Sequence, residues 1–324
     1  MFMMRFDMRA PASGAQASEL YAAALEMAAW AETRGCATVM VSEHHGSDDG
    51  FLPSPLILAS AIAARTATVP ITVAVVILPL CDPVRLAEEM AVLDLVSRGR
   101  VMYVAALGYR PEEYAMFGVD FRRRGRLADA KLAVLLKAKT GEPFDLDGRT
   151  IQVTPAPFTP GGPMVAWGGS STAAARRAGR HGIGLFAQGG GEALGEEYRR
   201  AAHEAGHRPG LCFIPAPDTP TTVFVADDVD AAWEELGPYL MHDVHAYAAW
   251  NEPGSGTASL SQARTADELR AENRSHRILS VPEAITMIKN GELLALHPLI
   301  GGLPPDIAWR YLRVLADQVL PAAT

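Results

Sequence analysis

The regular alternation of short strand-like runs with longer segments of helical periodicity is the strongest constraint on the fold. Eight runs have the length and composition of strands, and most are separated by segments with apolar residues at helical spacing. Strands that alternate with helices form a parallel sheet that the helices cover. Eight repeats favour an α/β fold of the (β/α)8 TIM-barrel class, with insertions at its carboxyl face. The runs are FMMRFDM, ATVMV, ITVAVVIL, RVMYVAAL, PMVAW, IGLFA, TTVFVA and LLALHPL.

An open doubly wound sheet is the main alternative fold. A dinucleotide-binding sheet of that kind needs G-x-G-x-x-G directly after its first strand, and residues 9–18 read RAPASGAQAS instead. We therefore predict a single barrel domain over residues 1–324. Segment 141–163, rich in turn formers, is predicted to form a small hairpin outside the barrel. Segment 251–276 is predicted to be a mobile lid, because it is long and polar.

Charge and cysteine content exclude several classes of protein. The formal net charge is −8, and the one basic cluster, RRRGR at 122–126, is interpreted as a solvated helix face, so no nucleic acid is expected as a partner. Three widely spaced cysteines predict no disulfide framework and no metal site, and they fit a reducing cytoplasm. The longest apolar stretch, VPITVAVVILPL, is shorter than the roughly 20 residues of a membrane helix. We predict a soluble cytoplasmic protein with no membrane segment.

The second strand-like run ends in SEHH, which places a carboxylate and two imidazoles at a strand end. Side chains alternate along a strand, so Glu43 and His45 share one face and His44 takes the other. The carboxyl ends of barrel strands form the active face, which favours a catalytic or binding role for this cluster. A polar strand end that merely meets water is the alternative. A metal is less favoured, because adjacent histidines on a strand point apart.

The fifth βα turn reads VAWGGSSTAAARRAG. Gly168 and Gly169 permit close backbone approach, and Ser170 or Ser171 is suited to cap the following helix. Exposed N–H groups at a helix start, together with the helix dipole, favour an anion such as a phosphate. An ordinary tight turn with a serine cap is the equally weighted alternative.

The fourth βα turn, AALGYRPEEYAMFGVDF, follows Gly108 with an aromatic-rich segment. Tyr109, Tyr114 and Phe117 have the chemistry to wall a pocket for a planar ring. Packing of an irregular loop explains the same residues, and the local sequence favours that explanation.

Taken together and in order, five segments resemble the bacterial luciferase-like flavin-dependent oxidoreductases over nearly the whole chain. The segments are SEHH, TVAVVILPLCDPVRLAEEMAVLDLVSRGR, LGYRPEEYAMFGVDF, GGPMVAWGGSS and HPLIGGLPPDIAWRYL. The resemblance implies a monooxygenase that uses O2 and reduced FMN, supplied by a separate flavin reductase, to oxidise a small organic substrate. Some branches of the family use the deazaflavin coenzyme F420 instead, as dehydrogenases or reductases. One luciferase subunit is catalytically silent, which is a third possibility for this chain.

The resemblance also implies roles for particular residues. His44 matches the catalytic acid/base near the flavin ring, and the Ala74–Val75 segment, in some members joined by a cis peptide bond, lies under that ring. A homodimer is expected, packed through the second and third barrel helices. The expected cofactor-binding residues are Glu43, Ala74, Val75, Leu107, Gly108, Tyr109, Trp167, Gly168, Gly169, Ser170, Ser171 and Gln188.

One residue departs from the family pattern. The luciferases carry an arginine for the FMN phosphate where this chain has Leu107. A hydrogen bond to an ion contributes about 1.5–3 kcal/mol, so the loss matters. Compensation by Arg110, Arg176 or the GGSS turn, weak cofactor binding, or a different cofactor are the alternatives.

Overall fold

A computed structural model describes residues 1–216, 218–251 and 260–323. Its described part contains twelve strands, and every one of the eight strand-like runs of the sequence is among them. The strands are β1 (Phe2–Phe6), β2 (Cys36–Val41), β3 (Ile71–Ile77), β4 (Val101–Ala106), β5 (Phe144–Leu146), β6 (Arg149–Ile151), β7 (Met164–Gly168), β8 (Gly184–Phe186), β9 (Cys212–Phe213), β10 (Thr222–Ala226), β11 (His276–Ser280) and β12 (Leu294–Leu296).

Helices lie between most of the strands, as the alternation predicted. Short 3₁₀ turns at Leu78–Leu80, Phe121–Arg123 and Ile300–Gly302 complete the connections, and a π-helical turn covers Leu315–Val319. The helices are α1 (Ala17–Glu32), α2 (Pro55–Arg65), α3 (Pro83–Ser97), α4 (Pro111–Met116), α5 (Arg124–Ala138), α6 (Thr172–Arg180), α7 (Gly191–Glu204), α8 (Val229–Trp250), α9 (Ala266–Glu272), α10 (Val281–Lys289), α11 (Pro305–Val314) and α12 (Leu320–Ala323).

The chain forms two compact units. The first comprises Met1–Met40, Ser47–Pro53 and Ala216–Thr324, and the second comprises Val41–Gly46 and Ser54–Pro215. In the first unit the strands lie in the order β11-β10-β12-β1-β2. β10 pairs with β11 and with β12, and β1 pairs with β12, all in parallel.

The second unit contains the order β3-β4-β7-β8-β9, and these neighbours are again parallel. Buried β-branched residues dominate β3, and β4 is buried at every position but Met102, as expected where helices cover both faces of a sheet. Because the strands are parallel, their carboxyl ends meet along one edge. That edge brings together the turns that the sequence marked as functional.

Helix α3 shows why the sequence signals for helix boundaries work here. Asp82 precedes Pro83, and its carboxylate accepts hydrogen bonds from the backbone of Val84 and Arg85, both at 2.9 Å. Proline at the first helical position has no N–H group that would need a partner. Arg98 ends the helix in the left-handed conformation. The predicted capping by Asp82 is confirmed.

Two segments were predicted to interrupt the alternation. Within 141–163, β5 and β6 pair as an antiparallel hairpin. Of the segment 251–276, residues 252–259 lie outside the described residues. The rest contains α9, capped by Thr265, and the first residue of β11. A mobile lid over this segment and the single domain over 1–324 both stay predictions.

No helix in the described ranges combines the length and the apolar character that crossing a membrane requires.

Candidate active site

The SEHH segment belongs to the second unit, and its side chains alternate as predicted. His45 Nε2 lies 2.7 Å from Glu43 Oε1, while His44 turns to the other side of the strand end. The second oxygen of Glu43 accepts the backbone N–H of Ile77 at 3.1 Å. Glu43 therefore ties the end of β2 to the end of β3 and orients His45. Both of its oxygens bond to protein groups, which favours an orienting role over direct cofactor contact.

His44 is held by a buried carboxylate from α4. Its Nδ1 lies 2.8 Å from Glu113 Oε1, and Glu113 is completely buried. The same oxygen accepts the backbone N–H of His45 at 3.0 Å. Arg110 Nη1 lies 3.6 Å from it and donates to the carbonyl of His45 at 3.0 Å. Three groups thus converge on one carboxylate oxygen.

The charge of Glu113 decides which ring nitrogen of His44 carries a proton. Burial by itself raises the pKa of Glu113, but the hydrogen bond and charge of His44, the His45 N–H group and Arg110 together lower it below its usual value. An ionised carboxylate only accepts hydrogen bonds, so Nδ1 of His44 must donate. When the ring is neutral, Nε2 is therefore the nitrogen without a proton.

Tyr109 lies on the Nε2 side of His44. Its hydroxyl lies 3.2 Å from Nε2, within hydrogen-bond distance, and the two rings meet edge to face with centroids 5.3 Å apart. Tyr109 is 39% exposed, whereas His44 is 8% exposed. Of the other aromatic residues in this segment, Tyr114 is fully buried and Phe117 packs against His45. The segment is therefore partly loop packing, with Tyr109 directed to the histidine.

Glycines close the ends of β4 and β7 where neighbouring side chains approach closely. A Cβ on Gly168 would lie 3.1 Å from Val104 Cγ1 and 3.2 Å from both Val75 Cγ1 and Ala106 Cβ. The peptide bond between Ala74 and Val75 is cis. Gly108, with φ of +70°, leaves no room for a side chain against Ile77. Larger residues at these two positions would therefore disturb the packing of the strand ends.

The turn after β7 has the geometry of a helix start. Ser171 caps α6, since its Oγ accepts the N–H of Ala174 at 3.2 Å. Ser170 Oγ accepts the N–H of Gln188 at 3.0 Å, which joins this turn to the turn after β8. Gly169 adopts φ of +144°, a conformation that favours glycine. The sequence left the capping serine open, and the structure assigns it to Ser171.

Trp167 and Leu107, both expected to bind a cofactor, have partners within the protein. The Trp167 side chain is fully buried beneath Arg177, whose guanidinium carbon lies 4.8 Å from the ring centroid. Arg177 in turn pairs with Asp129 at 2.6 Å. The carbonyl of Leu107 accepts the hydroxyl of Tyr114, which fixes the end of β4.

Arg110 and Arg176 are both committed to other partners. Arg110 lies in the buried Glu113 network described above, and Arg176 is an exposed residue paired with Glu197. Both arginines therefore already have carboxylate partners within the protein.

Arg124, at the start of α5, lies near the end of β4. Its guanidinium carbon is 3.8 Å from the Phe121 ring centroid, and Nη1 donates to the Phe121 carbonyl at 3.1 Å. Burial raises the pKa of Tyr114 and the charge of Arg124 opposes that shift, so the guanidinium is close to the phenol that bonds to Leu107. In the described part of the chain, no carboxylate pairs with Arg124. A half-buried guanidinium without a carboxylate partner is suited to bind an anion.

The same face of α5 continues to the end of β3. Lys131, seven residues after Arg124, donates to the carbonyls of Pro79 and Cys81 at 2.6 and 2.7 Å. Helix α5 is thereby fixed beside the ends of both strands. The sequence interpretation of 122–126 as a solvated face holds for the exposed Arg122, Arg123 and Arg126 but misses the half-buried Arg124. Arg124 and Lys131 are seven residues apart and so lie on the same face of the helix. That spacing is the signal in the sequence that would have distinguished Arg124 from the exposed arginines.

Comparison with known proteins identifies the family. The profile of the family described as luciferase-like monooxygenase matches residues 2–287. The chain belongs to this family. The alkanal monooxygenase alpha chain of Photorhabdus luminescens is 26% identical over 186 residues, which are 54% of this chain and 51% of that protein. The chain spans about half or less of the length of the first curated relatives that it matches.

Solved structures show the fold that this luciferase-like chain shares. Monooxygenase RslO1 from Streptomyces bottropensis has a TM-score of 0.78 at 20% identity, with 100% of this chain and 99% of that chain covered. The oxygenating constituent of 3,6-diketocamphane monooxygenase from Pseudomonas putida, in complex with FMN, has a TM-score of 0.71 at 20% identity, covering 99% and 98%. The likeness confirms the predicted α/β class with a mostly parallel sheet.

We expect Glu113→Gln to lower the free energy of unfolding by about 1.5–3 kcal/mol at pH 7, because hydrogen bonds to a buried charge are lost. The folded-state pKa of Glu113 is lowered. The ionised carboxylate therefore contributes its full stabilisation above the unfolded-state pKa of about 4.3. This contribution is lost as the pH falls through the folded-state pKa. The difference between the two proteins should shrink from pH 7 to pH 3, as measured by urea unfolding.

Glu112→Gln is the matched control, since Glu112 is adjacent and exposed. Surface substitutions of this kind change stability by less than about 0.5 kcal/mol. Equal losses for the two variants, or a Glu113→Gln difference that is independent of pH, would contradict the assignment.

Proposed function

We propose that this protein is a flavin-dependent monooxygenase that uses reduced FMN and O2 to oxidise a small organic substrate. The observation that carries the proposal is the His44–Glu113 pair at the carboxyl edge of the second unit, where the glycine-lined strand ends also lie. A histidine with a fixed tautomer and a buried counter-charge has the arrangement of a general acid/base. This geometry speaks against a catalytically silent subunit.

The residues present fit FMN. Val75 and Gly108, both partly exposed at the strand ends, would lie against a planar ring. The N–H groups at the start of α6 and the guanidinium of Arg124 provide donors for a phosphate. When bound, the reduced flavin supplies the electrons that activate oxygen. His44 would hold or move a proton at Nε2, and acid/base groups of this kind contribute about 10²–10⁴-fold to rate.

Several finer assignments accompany the proposal. The substrate is a small molecule that the lid and the strand-end turns would select, and a separate flavin reductase would supply the reduced cofactor. We also propose a cytoplasmic location, which the three widely spaced cysteines support. The deazaflavin F420 is the competing cofactor and would support hydride transfer instead of oxygen activation.

Cofactor binding separates these possibilities. We expect Arg124→Ala to weaken FMN by about ten- to a hundred-fold, the loss of one charge-assisted hydrogen bond. Riboflavin lacks the phosphate, so its affinity should change by less than about two-fold. Flavin fluorescence quenching measures both affinities, and F420 titrated in the same way tests the competing cofactor.

Arg122→Ala is the control, because it removes the same charge from an exposed position in the same cluster. Equal weakening of FMN and riboflavin by Arg124→Ala would remove Arg124 from the phosphate site. Tighter binding of F420 than of FMN would replace the proposed cofactor.

We also propose a homodimer that packs through α2 and α3. These helices lie against each other, and α3 exposes Val92, Leu95 and Val96 at i, i+3 and i+4 on one face, with Ile57 exposed on α2. Exposed apolar side chains in such a group favour burial against a second copy.

Sedimentation velocity at micromolar concentration tests the dimer. We expect the unmodified protein to sediment as a dimer and the double variant Val92→Glu, Val96→Glu to sediment as a monomer, because burying two carboxylates opposes association. Glu112→Gln, an exposed polar change on α4, should leave the dimer intact. A monomeric unmodified protein would refute the proposal.

A further inference from the structure

The two nitrogens of the His44 ring have different surroundings. Nδ1 faces the fully buried Glu113, so that side of the ring is closed to a reacting molecule. Nε2 faces the hydroxyl of Tyr109 at 3.2 Å. A proton that enters or leaves His44 therefore passes through Nε2, where the phenol stands.

The backbone on both sides of Tyr109 is fixed. Gly108 adopts φ of +70° against Ile77, where a side chain would collide. Arg110 is buried and bonded to the carbonyl of His45. Because both neighbours are anchored, the edge-to-face contact of Tyr109 with His44 is preorganised. Residues held in this way keep hydrogen-bond geometry that a mobile loop would not.

Tyr109 is the most exposed member of this row of groups. Exposure rises from 0% at Glu113 through 8% at His44 to 39% at Tyr109. The phenol oxygen can donate its proton to Nε2 and accept another proton on its outer side at the same time. The Glu113 carboxylate, the His44 imidazole and the Tyr109 phenol therefore form a continuous row of hydrogen-bonding groups. The row leads from the buried interior to the exposed Tyr109.

We propose that Tyr109 is a further catalytic residue, whose hydroxyl relays a proton between the reacting group and His44. The inference rests on the proposed function of the site. In the base direction, the reacting group loses a proton to the Tyr109 oxygen while the Tyr109 O–H proton passes to Nε2 of His44. The resulting imidazolium is paired with the Glu113 carboxylate. In the acid direction both protons move in reverse, so one proton enters and one leaves at each step.

Direct action of His44 is the competing account. In that account Tyr109 would only pack against the ring, and its phenol would turn away before Nε2 meets the reacting group. The two accounts differ in the number of protons in motion, two for a relay and one for direct transfer. They also differ in whether the hydroxyl bonds to Nε2 in the free protein.

The first measurement needs no cofactor. We expect ¹⁵N spectra of histidine-labelled protein to show His44 protonated at Nδ1, with Nε2 accepting a hydrogen bond. In Tyr109→Phe the Nε2 resonance should move downfield, while the Nδ1 proton stays. An Nε2 resonance that does not move in Tyr109→Phe would overturn the proposal. Because this arm uses the protein alone, its result is independent of whether the protein is a monooxygenase.

The second measurement is the reaction of photoreduced FMN with O2 on the protein, followed by flavin absorbance in mixtures of H2O and D2O. We expect a curved proton inventory for the unmodified protein, typical of two protons, and a linear inventory for Tyr109→Phe. The rate of Tyr109→Phe should fall by about 10²-fold, at the lower end for acid/base groups. FMN affinity, measured by fluorescence, should change by less than about two-fold.

Tyr198→Phe is the control, since it removes a buried hydroxyl that bonds to the Ile183 carbonyl. It should keep the curved inventory. A linear inventory in the unmodified protein, or a curved one in Tyr109→Phe, would overturn the relay. Failure of the unmodified protein to bind FMN would instead overturn the proposed function, which separates the two claims.

Discussion

The buried carboxylate of Glu113 is the interaction on which the candidate site depends. A buried carboxylate without partners would cost several kcal/mol, so its position requires the donors that surround it. Those donors are the His44 ring and the backbone N–H of His45, with Arg110 close by. The hydrogen bonds to this one carboxylate fix the path of the chain after β2 and the position of α4. They also fix the orientation of the His44 ring and place a proton on its Nδ1.

The end of β2 divides its polar residues between two tasks because side chains alternate. Glu43 and His45 bond to each other and to the backbone of β3, so they hold neighbouring strand ends in register. His44, on the opposite face, is left for chemistry. The glycines after β4 and β7 serve the same edge differently, since they keep side chains away from it. The polar side chains at this edge are therefore held in fixed positions by their hydrogen bonds.

The sequence predicted those parts that rest on local periodicity. The strand runs, the Asp82 cap and the opposite faces of His44 and Glu43 all follow from spacing along the chain. Glu113 was missed because it comes from a helix 69 residues after His44, and such a pairing has no local signature. Arg124 was missed because charge runs usually face solvent, and only packing shows that one member of the run is half-buried. Helix α9 lies in a segment whose polar composition suggested a loop.

We propose that the carboxyl edge of the second unit binds a flavin with its phosphate between α6 and Arg124. A crystal structure of the protein grown with FMN tests this proposal most directly. We expect density for the ring against Val75 and Gly168, with phosphate oxygens within hydrogen-bond distance of Arg124 and the N–H groups at the start of α6. Flavin density at another place, or a phosphate that leaves Arg124 without contact, would contradict it.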